Sequence, residues 1–490
     1  MTKSIYLILA LFLLNSCDKG EDINPPFYNC NFNFADSSST NPDNNKYQSL
    51  INDMTSSGVV GVTMSVYHTQ TGMWVGASGK ADLHNNVDMQ SCNISRVGST
   101  VKMYTATTVL KLAEEGKLNL DDKISSYLLG DVINKIENAD KATIRQLLQH
   151  SSGIYNYIQN LKFQTASLND FIREWKPNDL LNYAYNQKAY FQPGEDVRYS
   201  NTGYIMLGML IEKIEGKPFY KVFEEKIFNP LGLTMTKFAA EDPIPYGIVR
   251  GYIDMYSNLQ VIESTYFSGW DYYTADGGLI SNPYDMNVFF RALMSGQIIN
   301  SNSLNEMLTW NNPKEPDPAF FPISYGLGIF KIETDKGIAY MHSGDAVGYY
   351  ANMLYFPDDS TTIVYAVNSN YGKIDQFVST KEAMEKIINQ VKQRNKDKRE
   401  FKKMIEQQLH PNFITPDGIE IAHRHQGQDI IFSAWKEGKP VNEDSGFIYD
   451  RLFIGCYEGT FYEDKTFLRE VNRLLRSGLS INENCMQNIQ

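Results

Sequence analysis

The sequence predicts an α+β fold: one antiparallel sheet assembled from both ends of a domain, flanked by helices, with a helical lobe inserted between its halves. Three observations carry this. Strand-like runs at Gly58–Tyr67 and Gly72–Ser78, joined by a turn, open the domain. Strand-like runs return at Gly328–Ile332, Gly337–Met341, Tyr349–Phe356 and Thr361–Val367. The intervening chain has helical apolar spacing, broken by turns at Ser152-Gly153 and Pro193-Gly194, and lacks the strand–helix alternation of a parallel sheet.

From the N-terminus, Lys3 precedes the apolar run Ile5–Leu14. This run is too short for a bilayer, which takes about 20 apolar residues, and suits the h-region of a secretory signal. It closes on Leu14-Asn-Ser-Cys17, which resembles a bacterial lipobox despite the unusual Asn15; an ordinary cleaved signal with an incidental cysteine is the alternative. The expectation is a signal peptide over residues 1–17, lipid on Cys17, and anchorage in the bacterial cell envelope. The anchored face would be the periplasmic face of the outer membrane or the cell surface. Residues 18–44, rich in Asn, Asp, Ser and Pro, read as a flexible tether.

The globular domain is expected over residues 45–392. A helix from Thr100 to Gly116 carries Val101, Ala106, Val109, Leu110 and Leu112 at amphipathic spacing. A second begins near Thr202 and runs through Ile214, and a last one spans about Gln376 to Lys392. Residues 393–490 comprise a basic linker helix and an unassigned C-terminal region without a recognisable site. His423 and His425 alternate there as strand residues do, but two histidines make an incomplete metal site.

The full chain has 490 residues, 42% hydrophobic and 21% charged, enough for a sizeable core, and its formal net charge of -12 argues against nucleic acid as the main partner. Besides Cys17 there are Cys30, Cys92, Cys456 and Cys485. Cys30 with Cys92 and Cys456 with Cys485 is the simplest pairing; free buried thiols are the alternative.

Chemistry enters through S-x-x-K, which sets a hydroxyl and an amine one helical turn apart. The pattern occurs at Ser16–Lys19, Ser99–Lys102 and Ser433–Lys436, so spacing alone does not discriminate. Only Ser99 follows a turn residue, Gly98, and opens a patterned helix. There, unpaired backbone N–H groups and the partial positive charge of the helix start suit a developing oxyanion. Lys102 can then take the hydroxyl proton if burial lowers its pKa from about 10.4.

Arg96-Val-Gly-Ser-Thr-Val-Lys102 resembles the nucleophile segment of class C β-lactamases and the related penicillin-binding D-alanyl-D-alanine carboxypeptidases. That family also carries Y-x-N and a K-T-G or H-x-G strand. Of three Y-x-N sites, Tyr199-Ser-Asn201 lies between Gln192-Pro-Gly-Glu195 and a helix start, as the family's does. Of two H-x-G sites, His342-Ser-Gly344 ends a strand-like run and leads to another. Leu147–Gly153, Asp276-Gly-Gly-Leu279 and Tyr325-Gly-Leu-Gly328 match in order, and the resemblance covers about residues 45–392.

The resemblance implies a serine hydrolase with no cofactor and no metal. Ser99 would be acylated, Lys102 would be its base, Tyr199 would relay a proton to the leaving group, and Asn201 would orient Lys102 and the substrate amide. Ser99 and Asp345 N–H groups would form the oxyanion hole on the strand His342-Ser343-Gly344-Asp345. His342 stands where class C β-lactamases carry lysine, which points to the H-x-G carboxypeptidases and away from efficient β-lactam hydrolysis.

The implied substrate is a small peptide, amide or ester, with peptidoglycan fragments and β-lactams as candidates. An esterase of the same fold and a non-catalytic cell-wall-binding lipoprotein are the competing readings. His150 reads as structural. Tyr266, Phe267, Trp270, Tyr272 and Tyr273 either line the cleft, favouring an apolar acyl group, or pack in the core, and core packing is the stronger reading.

Overall fold

The computed structural model describes residues 38–240, 248–267 and 273–392, and the backbone of short strands between 413 and 440. The chain divides into two units, Met1–Glu385 and Lys386–Gln490. Cys17 and the basic stretch after Lys392 lie outside the described residues.

The first unit is built on an eight-stranded antiparallel sheet. Its strands are β1 (Gly61–His68), β2 (Gly72–Asp82), β3 (Val87–Asp88), β9 (Ile323–Tyr325), β10 (Phe330–Thr334), β11 (Gly337–Ala346), β12 (Tyr349–Phe356) and β13 (Thr361–Val367), in the order β3-β2-β1-β13-β12-β11-β10-β9. The join of the two chain ends is the β1–β13 pair, with Met64 opposite Tyr365. Every residue of β13 is buried, as a central strand covered on both faces requires.

Helix α1 (Asn44–Ser56) lies against the sheet through Tyr47, whose ring meets Trp74 edge-on at 5.3 Å. Short strands β4 (Ser95–Arg96), β5 (Lys237–Phe238) and β8 (Leu279–Ser281) make a three-stranded sheet, and β6 (Tyr252–Ile253), β7 (Ile262–Glu263) and β14 (Ser369–Asn370) make another.

Helix α2 (Val101–Glu114) runs through the middle of the unit. The expected amphipathic face is not what forms: residues 101–110 are buried on every side, polar ones included. A helix enclosed all round must satisfy its own polar groups. Thr107 and Thr108 donate to the carbonyls one turn back (2.7 and 2.9 Å), and Thr105 donates to the Ala275 carbonyl at 2.6 Å.

The helical lobe contributes α3 (Ile144–Leu148), opened by a capping box between Thr143 and Gln146, and α4 (Asn201–Glu215). Helix α5 (Pro283–Met294) covers the sheet, where Ser65 in β1 donates to the Pro283 carbonyl and accepts from Asn287.

Folded structure starts earlier than the tether assignment allowed. Ser38 Oγ accepts from the Val75 amide at 2.9 Å and Asn41 donates to the Thr71 carbonyl at 3.1 Å, so the last residues of that segment cap β2. The final helix is also interrupted, into Asp375–Val378 and Lys381–Val391. Cys92 is disulfide-bonded, to a partner outside the described residues.

In the second unit, Phe413–Ile414, Ile419–Gln426, Asp429–Lys436 and Lys439–Pro440 form a four-stranded antiparallel sheet. Ser433 and Lys436 fall within one of these strands, so the third S-x-x-K spacing does not span a helical turn.

Candidate active site

The site forms where the turn before α2 meets β11. Gly98–Thr100 is a 3-10 turn that puts Ser99 at the mouth of α2. Gly98 has φ +48°, in the left-handed region, and a β-carbon there would lie 2.8 Å from the Asp345 nitrogen. A β-carbon on Gly344 would fall 1.9 Å from the Val97 carbonyl and 2.7 Å from the Ser99 nitrogen. Glycine at both positions lets β11 press against the turn that carries Ser99, which brings the Ser99 and Asp345 backbone nitrogens to the contact between the two segments. The Asp345 carboxylate accepts from Asn370 Nδ2 at 2.5 Å; the same nitrogen donates to the Ala346 and Tyr349 carbonyls, which holds the β11–β12 turn in place.

Lys102 is completely buried, and its Nζ donates to Ser99 Oγ at 2.9 Å and to the Asp276 carbonyl at 2.7 Å. With Thr105 on Ala275, α2 therefore grips two successive carbonyls of the 275–276 loop. Lys102 Nζ stands 5.1 Å from the centre of the Tyr199 ring and 5.5 Å from that of Tyr204. The Tyr204 hydroxyl is occupied by the Leu148 carbonyl at 2.7 Å, so of the two phenols beside Lys102 it is the one committed to that carbonyl.

Tyr199 is held by His150. The two rings lie 4.4 Å apart, and His150 Nδ1 accepts the Ser200 amide proton at 3.1 Å. That bond puts the ring proton on Nε2. Burial, reinforced by the nearby Lys102 charge, keeps His150 neutral, well below the usual histidine pKa. His150 thus serves as a positioning residue, in line with its structural reading.

His342 is also buried and neutral. Burial, with the nearby Lys102 charge, lowers its pKa to about 3, although the bond to Ser343 works in the other direction. Its Nδ1–H donates to the Ser343 carbonyl at 2.7 Å, which leaves Nε2 as a bare acceptor within the wall. A lysine in its place would present a cation; this imidazole does not.

Asn201 starts α4, and both its backbone N–H and its side-chain Nδ2 donate to Asn156 Oδ1, at 3.3 and 3.4 Å. An oxygen that accepts from Lys102 beside Ser99 is the Asp276 carbonyl. Burial raises the Asp276 carboxyl above the usual carboxylate range, with Lys102 pulling against it. Asn156, Tyr204 and Asp276 were not singled out for roles in the sequence, although Tyr204 and Asp276 lie in segments whose pattern stood out.

The other candidates lie elsewhere. Asn352 of Tyr350-Ala-Asn352 is buried in β12 against Tyr365 and Met384, and Tyr256-Ser-Asn258 is in a loop. Tyr266 is 73% exposed, so core packing is not its role, and Phe267 is half-buried. Tyr273 carries Lys176 Nζ 4.0 Å from its ring centre, while Trp270 and Tyr272 lie outside the described residues. Among the described residues no cluster of His, Cys, Asp or Glu could hold a metal ion.

A hydroxyl at a helix mouth, a buried amine bonded to it and a phenol beside the amine make an arrangement chemically suited to acyl transfer through a serine. The beta-lactamase family model matches residues 48–383, and the chain belongs to that family.

Penicillin-binding protein 4* of Bacillus subtilis (strain 168) is 28% identical over 307 residues, 59% of this chain and 64% of that protein. Protein flp of Staphylococcus aureus (strain NCTC 8325 / PS 47) is 24% identical over 305 residues, 61% of this chain and 58% of that protein. The chain thus spans less than two thirds of the length of these curated relatives.

Among solved structures, a D-stereospecific amidohydrolase from Streptomyces sp. has TM-score 0.62 and 28% identity, covering 71% of this chain and 98% of that one. The D-amino acid amidase from Ochrobactrum anthropi SV3, complexed with D-phenylalanine, has TM-score 0.63 and 23% identity, covering 71% and 99%, a likeness of fold.

Proposed function

We propose that the protein hydrolyses amides of D-amino acids, as free amides or short peptides, through an acyl-enzyme on Ser99. The observation that carries this is the 2.9 Å bond between buried Lys102 Nζ and Ser99 Oγ at the helix mouth. In its deprotonated form Lys102 takes the Ser99 proton as Oγ bonds to the substrate carbonyl carbon. The oxyanion is met by the Ser99 and Asp345 N–H groups, each donor in such a hole being worth about 10²–10³ in rate. Tyr199 passes a proton to the departing nitrogen as the C–N bond breaks. Water then attacks the ester, the Ser99 oxygen leaves with a proton returned, and the carboxylic acid is released.

The neutral His342 shapes the choice of substrate. A C-terminal carboxylate receives no counter-charge from this position, which favours amides over D-alanyl-D-alanine peptides that end in a free carboxylate. The name of the D-stereospecific amidohydrolase supports the same direction. β-Lactams, as cyclic amides, would acylate Ser99 and turn over slowly, and peptidoglycan fragments remain within the substrate class.

Lipid on Cys17 would hold the enzyme in the cell envelope, facing such substrates. Release of ammonia from D-amino acid amides, compared with L-amides, D-alanyl-D-alanine and p-nitrophenyl esters, tests the reading. Turnover of D-amides that Ser99→Ala abolishes is expected. Rapid ester turnover with inert D-amides would make it an esterase, and inertness to all of them a binding protein.

A further inference from the structure

A second cavity, of about 470 Å³, lies on the first unit, lined by Phe163, Phe171, Trp175, Met255, Phe267 and Val347 among others. Its walls are mostly hydrocarbon and aromatic. Phe171 and Phe267, both in its lining, stack directly on each other at 4.5 Å, 11° from parallel. Two carboxylates belong to the lining: that of Asp254 is taken up by the backbone amides of Asn258, Leu259 and Lys373 and so organises the loop, and Asp170 is exposed to solvent.

Two links tie this cavity to the reactive serine. Val347 lies two residues past Asp345, about 7 Å of extended chain, and Asn370 clamps the same turn while its neighbour Tyr371 lines the cavity. On the other wall, the Arg96 guanidinium, three residues before Ser99, holds the Thr265 and Phe267 carbonyls.

The direction is set by β11. Tyr199, which serves the leaving group, lies beside His342, their rings 6.3 Å apart, near one end of the segment that carries the site. Val347 lies beyond the opposite end of that segment. A carbonyl seated between the Ser99 and Asp345 amides therefore turns its leaving group toward Tyr199 and its acyl substituent toward the cavity.

We propose that this cavity is the acyl-side specificity pocket and takes a large uncharged group, a long alkyl chain or a fused aryl system. The inference rests on the acyl-enzyme reading above. Size is part of the argument: a dry apolar cavity of about 150 Å³ is enough for benzene, and this one is three times as large.

The test is kcat/KM for p-nitrophenyl acetate, hexanoate and decanoate, since esters and amides share the acyl-enzyme. Full burial is worth about fourfold per methylene, so a rise of at least about 100-fold from acetate to decanoate is expected. Ser167→Trp and Met255→Trp, which fill the cavity from two separate segments of its lining, lower the decanoate-to-acetate ratio by about tenfold or more, with the unfolding midpoint as the check on folding.

A ratio within about threefold of unity in the wild type overturns the pocket while leaving the hydrolase reading intact. A steep rise untouched by both tryptophans places the chain elsewhere and overturns it too. Failure of every ester and amide to acylate Ser99 brings down the hydrolase reading, and the pocket with it.

Discussion

Lys102 is fully enclosed, with the hydroxyls of its helix neighbours Thr105, Thr107 and Thr108 bonded to carbonyls, while Leu168 and Met255 at the apolar cavity are 64% and 45% exposed. The first region spends folding energy to hold an amine against a hydroxyl. The second leaves hydrocarbon in water, which a soluble surface keeps mainly where something is to be covered. The contrast separates two tasks. Reactivity is set by close-packed groups with little freedom to vary, and selectivity by a rim whose residues are cheap to change.

Breaking the enclosed region should have the largest effects. Ser99→Ala and Lys102→Met are each expected to lower kcat by about 10⁴-fold or more, measured as turnover of whichever amide or ester proves active, with folding checked by circular dichroism. If either variant keeps a tenth of the activity, the Ser–Lys pair is not the centre of the chemistry. Tyr199→Phe removes only the proton relay and should cost about 10²–10⁴-fold in kcat with a smaller change in KM.

Gly344→Ala tests the close approach rather than a functional group. Its methyl would meet the Val97 carbonyl, so β11 must retreat from the Ser99 turn. An expected destabilisation of about 1–3 kcal/mol should accompany a loss of rate larger than that stability change explains. An active, fully stable alanine variant would show that the amides need not face each other.

His342 makes a pH prediction. Its imidazole stays neutral in the folded protein down to about pH 3, whereas the unfolded chain takes up a proton near pH 6.5. The unfolded state therefore binds more protons, and stability declines as the pH falls from about 6.5 toward 3. His342→Gln should flatten that decline in urea titrations run at several pH values, and should leave the acid limb of kcat/KM where it is. The smallest effect belongs to the rim: Leu168→Ser should change stability by less than about 0.5 kcal/mol, and a loss of several kcal/mol would mean that it is a core position after all.

How far the sequence could be read follows the same division. The β1–β13 closure, the helix start at Ser99 and the strand at His342 were legible because turn residues and local period mark them. The enclosure of α2 was not: Thr105, Thr107 and Thr108 look like a polar face until their hydroxyls are seen turned onto carbonyls, a tertiary fact. Ser38–Asp43 read as tether because short polar residues look alike in a linker and in a cap; only the bonds to Val75 and Thr71 distinguish them. Asp276 escaped notice because it orients Lys102 through its backbone carbonyl, which every residue type possesses. Core packing was the stronger reading for the aromatic cluster, but composition does not show which of its members reach the surface, as Tyr266 does.

The central claim concerns one covalent bond, so the most direct measurement is intact-mass analysis of the purified protein after brief exposure to a β-lactam, an activated ester and a D-amino acid amide, followed by peptide mapping. The account predicts a mass increase equal to the acyl group with at least one of them, localised to the peptide bearing Ser99 and absent from Ser99→Ala. Turnover without any adduct on Ser99, or an adduct mapped to another residue, would contradict it.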